Sequence, residues 1–296
     1  MRTRRLAIGL CALPLLAAGC GGASHVPCPN GKVNFGVEPY APGAKFTKAY
    51  TDFASTLSDK LGCPVRLHIA KSYTDEVAAM KAGKLDVAEF GALGYVFAHR
   101  RAGAEPVATF SDIQGNPISY YAGIWAKKGS PVKTINDLRG KTLALAERTS
   151  TSGALYPLYA LSSNGLKKSD VNISYTGSHD QALAALTSGT ADAAEINSDT
   201  MAAAVKAKKL VPAQYQQVWK SDPIPNDPIV VRRGLTPAFK DAVRKTLLAL
   251  SKDDMHPVDR VIGLGAGQLL PANDAIYDNV RAVVDANHLP FSALDN

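Results

Sequence analysis

Two rhythms of apolar residues alternate along this 296-residue chain: short continuous runs, and longer stretches repeating every three or four positions. Val33 to Val37, Val65 to Ile69 and Leu85 to Phe90 are runs of the kind that form buried strands. Between the first two, Phe46, Tyr50, Phe53, Leu57 and Leu61 recur at helical spacing, and Gly62 stops the helix before the second strand. Ser72-Tyr73-Thr74-Asp75 opens another helix, which carries Val77 and Met80 and ends at Gly83. This alternation predicts an α/β fold. The Leu, Met and aromatic stripes are core positions of a first lobe rather than a cofactor box.

Ser119 to Lys127 and Ile229 to Arg232 read as two extended stretches that bracket a central block. Inside it lie a helical turn at Asp137-Leu138-Arg139, the apolar run Thr142 to Ala146, a helical run from Ala154 to Leu161 and a strand from Ile173 to Thr176. A helix carrying Leu183 and Leu186 and a strand from Ala191 to Ile196 complete it. The block is a second α/β unit inserted within the first. Helices from Thr236 to Leu250, with Pro237 in the first turn, and from Asp274 to Ala286 then return to the first lobe. The expected division is residues 31–118 and 228–296 for lobe 1 and 119–227 for lobe 2, joined by two hinge crossings with a cleft between them. In open α/β sheets ligands sit beyond the carboxyl ends of the strands, which is where the loops at 73, 120, 150, 179, 199 and 227 fall.

The N-terminus predicts where the protein works. Arg2, Arg4 and Arg5 precede an apolar core from Leu6 to Ala18, too short to span a membrane and typical of a signal peptide. Leu16-Ala17-Ala18-Gly19-Cys20 resembles a bacterial lipobox, with Ala17 where Leu is more usual. On that reading residues 1–19 are removed, Cys20 carries a lipid, and residues 20–30 tether an exported protein to the outer face of the cell membrane. An ordinary secretory cleavage site is the alternative, and Thr3-Arg4-Arg5-Leu6 is a weak twin-Arg signal. Removing the three Arg from 33 basic and 26 acidic residues leaves a mildly basic chain. Its basic residues are dispersed, with no alternation of aromatic and basic side chains, so nucleic acid is not an expected partner.

Of the four Cys, Cys11 lies in the signal and Cys20 is the lipid site, which leaves Cys28 and Cys63. An exported chain with two mature Cys reads as a disulfide candidate. Each stands just before a predicted strand, and neighbouring parallel strands would bring those two entrances together.

The candidate chemistry starts at Ser150-Thr151-Ser152-Gly153, between the run ending at Ala146 and the helical run from Ala154. Hydroxyls and a small Gly at a helix N-terminus, where backbone N–H groups lack partners and the helix dipole favours negative charge, form an anion cradle without Lys or Arg. The same residues also serve as ordinary helix caps. Three further segments point to the cradle: Tyr175-Thr176-Gly177-Ser178-His179, Asn197-Ser198-Asp199-Thr200 and Pro223-Ile224-Pro225-Asn226-Asp227-Pro228. In order and spacing, from about Val33 to Arg281, the set resembles the substrate-binding proteins of phosphonate, phosphite and phosphate ABC importers, which have the two-lobed type 2 periplasmic-binding-protein fold.

The resemblance assigns tasks to individual residues. It implies that Ser150, Thr151 and Ser152 grip the phosphoryl group with hydroxyls and backbone N–H groups, that His179 hydrogen-bonds an oxygen of the same group, and that Tyr73 and Tyr120 contact the ligand from the first lobe and the hinge. Tyr95 and Tyr121 stand close enough in sequence to blur the tyrosine assignment. Asp199 and Asp227 match acids that grip the ligand ammonium in members binding aminoethylphosphonate; as read from the sequence they also suit a helix N-cap and an Asx turn. Two carboxylates would repel a dianion, so they face either a ligand cation or a ligand proton. The family further implies a membrane permease as partner, a monomer, and no cofactor.

The competing class is an exported enzyme acting on a phospho-compound. The chain has no G-x-S-x-G elbow, no H-E-x-x-H helix and no Walker loop, and its six His are scattered without metal-ligand spacing. Gly263-Leu264-Gly265-Ala266-Gly267 lacks both the Lys and the preceding strand that a phosphate loop needs. The expectation is binding of a phosphonate or phosphite, with another tetrahedral oxyanion such as phosphate or a sulfonate as the alternative. No catalytic residue and no metal site are expected.

Overall fold

The computed structural model describes residues 28–41, 43–262 and 267–287. The signal peptide, most of the tether and the lipid site Cys20 lie outside them, as does most of the Gly-rich stretch from Gly263. The architecture is α/β and two-lobed, with each lobe built on its own sheet.

In the first lobe, β1 (Val33–Val37), β2 (Val65–Ile69), β3 (Val87–Glu89) and β4 (Glu105–Phe110) come from the N-terminal third of the chain. The hinge ladder comprises β5 (Ser119–Tyr120) and a partner from later in the chain. The second lobe holds β6 (Gly123–Lys127), β7 (Thr142–Leu145), β8 (Asn172–Tyr175), β9 (Ala193–Glu195) and β10 (Tyr215–Lys220), after which β11 (Ile224–Pro225) pairs with β5. The chain then returns to the first sheet as β12 (Pro228–Val231) and β13 (Leu269–Leu270). Strand order is β13-β4-β12-β3-β1-β2 in the first sheet and β10-β6-β9-β7-β8 in the second.

The helices cover these sheets. In the first lobe they are α1 (Ala44–Leu61), α2 (Tyr73–Lys81) and α3 (Ala92–Ala102), and in the second α4 (Tyr156–Ser163), α5 (His179–Ser188) and α6 (Ser198–Lys206). After the return come α7 (Pro237–Leu248), α8 (Lys252–Ile262) and α9 (Asp278–Ala286). The stripe on α1 is buried at Phe46, Tyr50, Phe53 and Leu57, against Phe35 and Val37 of β1. Gly62 ends α1 with φ of 65°, a left-handed backbone that suits Gly.

Cys28 and Cys63 are bridged, with Cα atoms 5.7 Å apart. β1 and β2 run parallel with Val33 opposite Val65, so the residues entering the two strands are neighbours.

Three details depart from the sequence reading. Ile229 to Arg232 is not a crossing: Pro228–Val231 is buried at every position and lies between β3 and β4, as an apolar run covered on both faces should. The return crossing is earlier, at β11. The stretch from Ser119 to Lys127 divides into β5 and β6; between them the Tyr121 carbonyl accepts from the Ser198 N–H, and Ala122 bonds Ser221 through both its N–H and its carbonyl. Finally, α9 and the turn before it pack on both lobes: Tyr277 of the turn and Val280 and Val284 of α9 share one cluster with Leu93 of α3 and with Leu155 and Tyr156 at the start of α4.

Candidate functional site

The loops at the carboxyl ends of the strands converge on a cleft of about 240 Å³ between the lobes. Tyr73, Tyr120, Ser150, Thr151, Ser152, His179, Asp199 and Asp227 all line it. Tyr121 and Tyr95 do not: the Tyr121 ring packs under the Lys220 ammonium at 4.0 Å, and Tyr95 is buried beside Tyr277 and bonded to Asp274.

The turn after β7 is tighter in sequence and wider in geometry than a plain helix start. Thr151–Leu155 forms a π-type turn before α4 begins, with the Ser150 carbonyl accepting from both the Ala154 and Leu155 N–H groups at 3.1 Å. Pro157 supplies the reason. It has no N–H to give the Gly153 carbonyl, which accepts instead from the Ala146 N–H at 3.0 Å and pins the turn to the end of β7. A Cβ on Gly153 would come within 2.6 Å of the Ala146 side chain and 2.7 Å of the Ser150 Oγ, so this turn needs the missing side chain.

Each cradle hydroxyl oxygen is already used as an acceptor. Ser150 Oγ accepts from the Gly153 N–H at 3.2 Å, Thr151 Oγ1 from the Leu93 N–H at 2.9 Å, and Ser152 Oγ from the Asn197 amide at 3.2 Å. A hydroxyl that accepts from a fixed donor has its own proton left to give, and all three of these hydroxyl residues line the cleft. The Thr151 and Ser152 N–H groups open the turn and take no part in its backbone bonds. The Thr151 contact with Leu93, in the first turn of α3, also ties the cradle to the opposite lobe.

His179 is the cationic member. Its Nδ1 lies 2.9 and 3.0 Å from the two oxygens of Glu195, a fully buried carboxylate at the end of β9, and its Nε2 lies 3.4 Å from Ser150 Oγ. Burial works against a charge on the ring, but the Glu195 carboxylate outweighs it and raises His179 above the ordinary histidine value. With Nδ1–H held by Glu195, Nε2–H points toward the cradle as a donor.

The other wall is acidic. Asp199 sits in the first turn of α6, but the cap there is Asn197, whose side chain accepts from the Thr200 N–H at 2.8 Å; Asp199 is therefore free to face the cleft. Burial raises its carboxyl, with Ser198 and His179 pulling the other way. Asp227 makes no Asx turn; it is its carbonyl that accepts from Thr109, and burial holds its carboxyl well above the usual range, aided by the Glu89 and Asp199 charges. Burial likewise pushes the Tyr73 and Tyr120 hydroxyls up, while the Ser152 and Thr151 side chains hydrogen-bond the Tyr120 oxygen and oppose the shift.

Sequence reasoning missed Glu38, Glu89 and Glu195. Glu38 and Glu89 line the first-lobe floor, both 2% exposed, and no Lys or Arg is among the residues lining the cleft. A signal was present: each is a lone carboxylate closing a buried apolar strand, in Val37-Glu38, Ala88-Glu89 and Ala194-Glu195, where a strand end faces a ligand cleft. Among the described residues no cluster of His, Cys, Asp and Glu could hold a metal ion.

Two α/β lobes joined by a paired crossing around a polar cleft are the architecture of the periplasmic binding proteins. This chain belongs to the family described as ABC transporter, phosphonate, periplasmic substrate-binding protein, whose model matches residues 35–277. It is 29% identical over 219 residues to the phosphonates-binding periplasmic protein of Escherichia coli, a match covering 71% of this chain and 64% of that protein. It is 28% identical to the phosphate-import protein PhnD of Mycolicibacterium smegmatis, over 95% of each chain. Among solved structures it is similar to PhnD1 from Prochlorococcus marinus in complex with methylphosphonate, with a TM-score of 0.75 and 20% identity over 87% of this chain and 98% of that one.

Proposed function

We propose that this protein is the extracytoplasmic binding lipoprotein of an ABC importer, anchored through Cys20, which closes its lobes on a phosphonate or phosphite and hands it to a membrane permease. The observation that carries the reading is the donor set: the Ser150, Thr151 and Ser152 hydroxyls, each already accepting from a fixed donor, and the Nε2 of a Glu195-held His179, all lining one small cleft. The hinge lies at the β5–β11 ladder, with lobe 1 as residues 31–118 and 228–296 and lobe 2 as 119–227. Ser150, Thr151, Ser152 and His179 grip the phosphoryl oxygens from lobe 2, while Tyr73 and Tyr120 close from lobe 1 and the hinge. The protein acts as a monomer, without a cofactor and without chemistry of its own.

Asp199 and Asp227 set the ligand's other end. Two acids on one cleft favour an ammonium, as in 2-aminoethylphosphonate. The acid-rich floor without Lys or Arg supports a second reading, a phosphate-type ligand that brings its own proton, and the M. smegmatis relative is named for phosphate import.

Calorimetry with 2-aminoethylphosphonate, methylphosphonate, phosphite, phosphate and taurine separates them. With an ammonium, Asp199→Asn and Asp227→Asn each weaken 2-aminoethylphosphonate by about 2 kcal/mol or more and methylphosphonate far less. With a ligand proton, the same variants relax the pH dependence of phosphate binding instead. Variants matching wild type for every ligand and pH would place both acids outside the site, and release of inorganic phosphate from a phosphonate would overturn the binding-only reading.

A further inference from the structure

We propose that Glu89 is the proton site of this cleft: capture of an oxyanion draws one proton from solution onto Glu89, which then donates a hydrogen bond to a ligand oxygen. The inference rests on the oxyanion reading above and names the residue that makes it compatible with an acidic floor.

The sheet places the acids side by side. β12, β3 and β1 are adjacent, and Glu89 stands opposite both Val37 and Ile229. Glu38 directly follows β1 and Asp227 directly precedes the antiparallel β12, so three carboxyls emerge at one sheet edge with Glu89 in the middle. All three line the cleft. Glu76 of α2 lies behind them, and Asp199 and His179 face them from the second lobe. An anion entering this group with every carboxyl ionised would meet only one cation, His179, which Glu195 already neutralises.

Hydrogen bonding shows which oxygen takes the proton. The Tyr50 hydroxyl donates to Glu89 Oε1 at 2.7 Å, and because that proton is committed, Tyr40 at 2.6 Å donates to Tyr50. The chain Tyr40–Tyr50–Glu89 therefore treats Oε1 as an acceptor. Glu89 Oε2 is buried and has no hydrogen-bond partner among the described residues, which leaves it as the oxygen that takes the proton.

The neighbouring acids are poorly placed for the task. Glu38 Oε2 accepts from the Gly91 N–H at 3.0 Å, and its other oxygen abuts the backbone at Gly94, so this carboxyl is tucked against the start of α3. Burial holds Glu38, Glu76 and Asp227 well above the usual carboxylate range, whereas it pushes Glu89 up to about 7, with the Tyr50 hydrogen bond opposing. At that value Glu89 gains or loses its proton near neutrality, and an anion beside it raises it further. The surrounding Tyr40, Tyr50, Tyr73 and Tyr120 hydroxyls are pushed up by burial and stay neutral. The step is balanced: the buffer acid loses a proton, the Glu89 carboxylate gains it, and no covalent bond of the ligand changes.

The test is calorimetry of the folded protein with methylphosphonate at pH 8 in two buffers of different ionisation heat. Wild type should take up close to one proton per ligand, and its affinity should fall roughly tenfold per pH unit above the Glu89 value. In Glu89→Gln, whose amide can accept from Tyr50 and donate to the ligand without titrating, uptake should vanish and the affinity profile should flatten. Wild-type binding with no buffer dependence overturns the proposal without any variant. Uptake that survives in Glu89→Gln puts the proton on His179 or on the ligand and also overturns it. If folded wild type binds neither methylphosphonate nor phosphate, the oxyanion reading itself fails and the inference goes with it.

Discussion

Replacing Cys28 and Cys63 together by Ser is expected to cost the protein about 3 to 4 kcal/mol of stability, a fall in melting temperature of roughly 10 °C. The bridge joins residues 35 apart and closes a loop containing β1 and all of α1, so its loss returns that loop's freedom to the unfolded chain. Cys63 is 1% exposed beneath α1, and the Ser58 hydroxyl bonds its carbonyl at 2.9 Å, so the site is ordered beyond the bridge itself. Ligand affinity should not change. Both Cys precede their strands, whereas Glu38 and Tyr73 of the cleft lie past the opposite ends of β1 and β2. Urea unfolding of the double variant, with ligand titration under native conditions beside it, checks both halves; a midpoint equal to wild type would contradict the loop account.

Glu76→Met should act in the opposite direction and raise stability by about 2 kcal/mol at pH 8. Glu76 is 0% exposed, points from α2 toward Gly36 of β1 and Leu85, and neither carboxyl oxygen has a hydrogen-bond partner among the described residues. Met has similar length, favours helix and leaves no polar atom stranded. Burial, with the Glu38 and Glu89 charges adding to it, holds the folded-state carboxyl well above its ordinary value. Below that ordinary value both states are protonated and pH has no effect. As pH rises past it the unfolded chain ionises while the folded one keeps its proton, so wild type loses stability. The gain from Glu76→Met should therefore be larger at pH 8 than at pH 4. Urea midpoints at the two pH values measure this, and a gain that is absent or independent of pH would show that Glu76 is satisfied in the fold.

The acidic floor explains why part of the site was legible in the sequence and part was not. Ser150 to Gly153 stands out locally because hydroxyls and a Gly between a strand and a helix have few uses. What could not be read was that Pro157 would widen the turn, or that Leu93 and Asn197 would set the Thr151 and Ser152 hydroxyls. Those depend on contacts between segments far apart in sequence. Glu38, Glu89 and Glu195 were hidden for the same reason: each looks like the end of a strand until the sheets align them. The fold was clearest where the patterns were amphipathic, as in α1. It was least clear for α3, whose residues Ala92 to Ala98 are all buried and so show no polar face, and for β12, whose uniformly apolar run reads equally well as strand or extended crossing.

The division of labour in the cleft rests on the cradle, and titration of Ser150→Ala and Thr151→Ala against wild type with methylphosphonate, 2-aminoethylphosphonate and phosphate tests it most directly. Wild type should bind at least one of these phosphorus oxyanions. Each variant should weaken every ligand that wild type binds by about 1 to 3 kcal/mol, the worth of a hydrogen bond to a charged group, whatever the ligand carries at its other end. Affinities for all three ligands unchanged from wild type in both variants would contradict it.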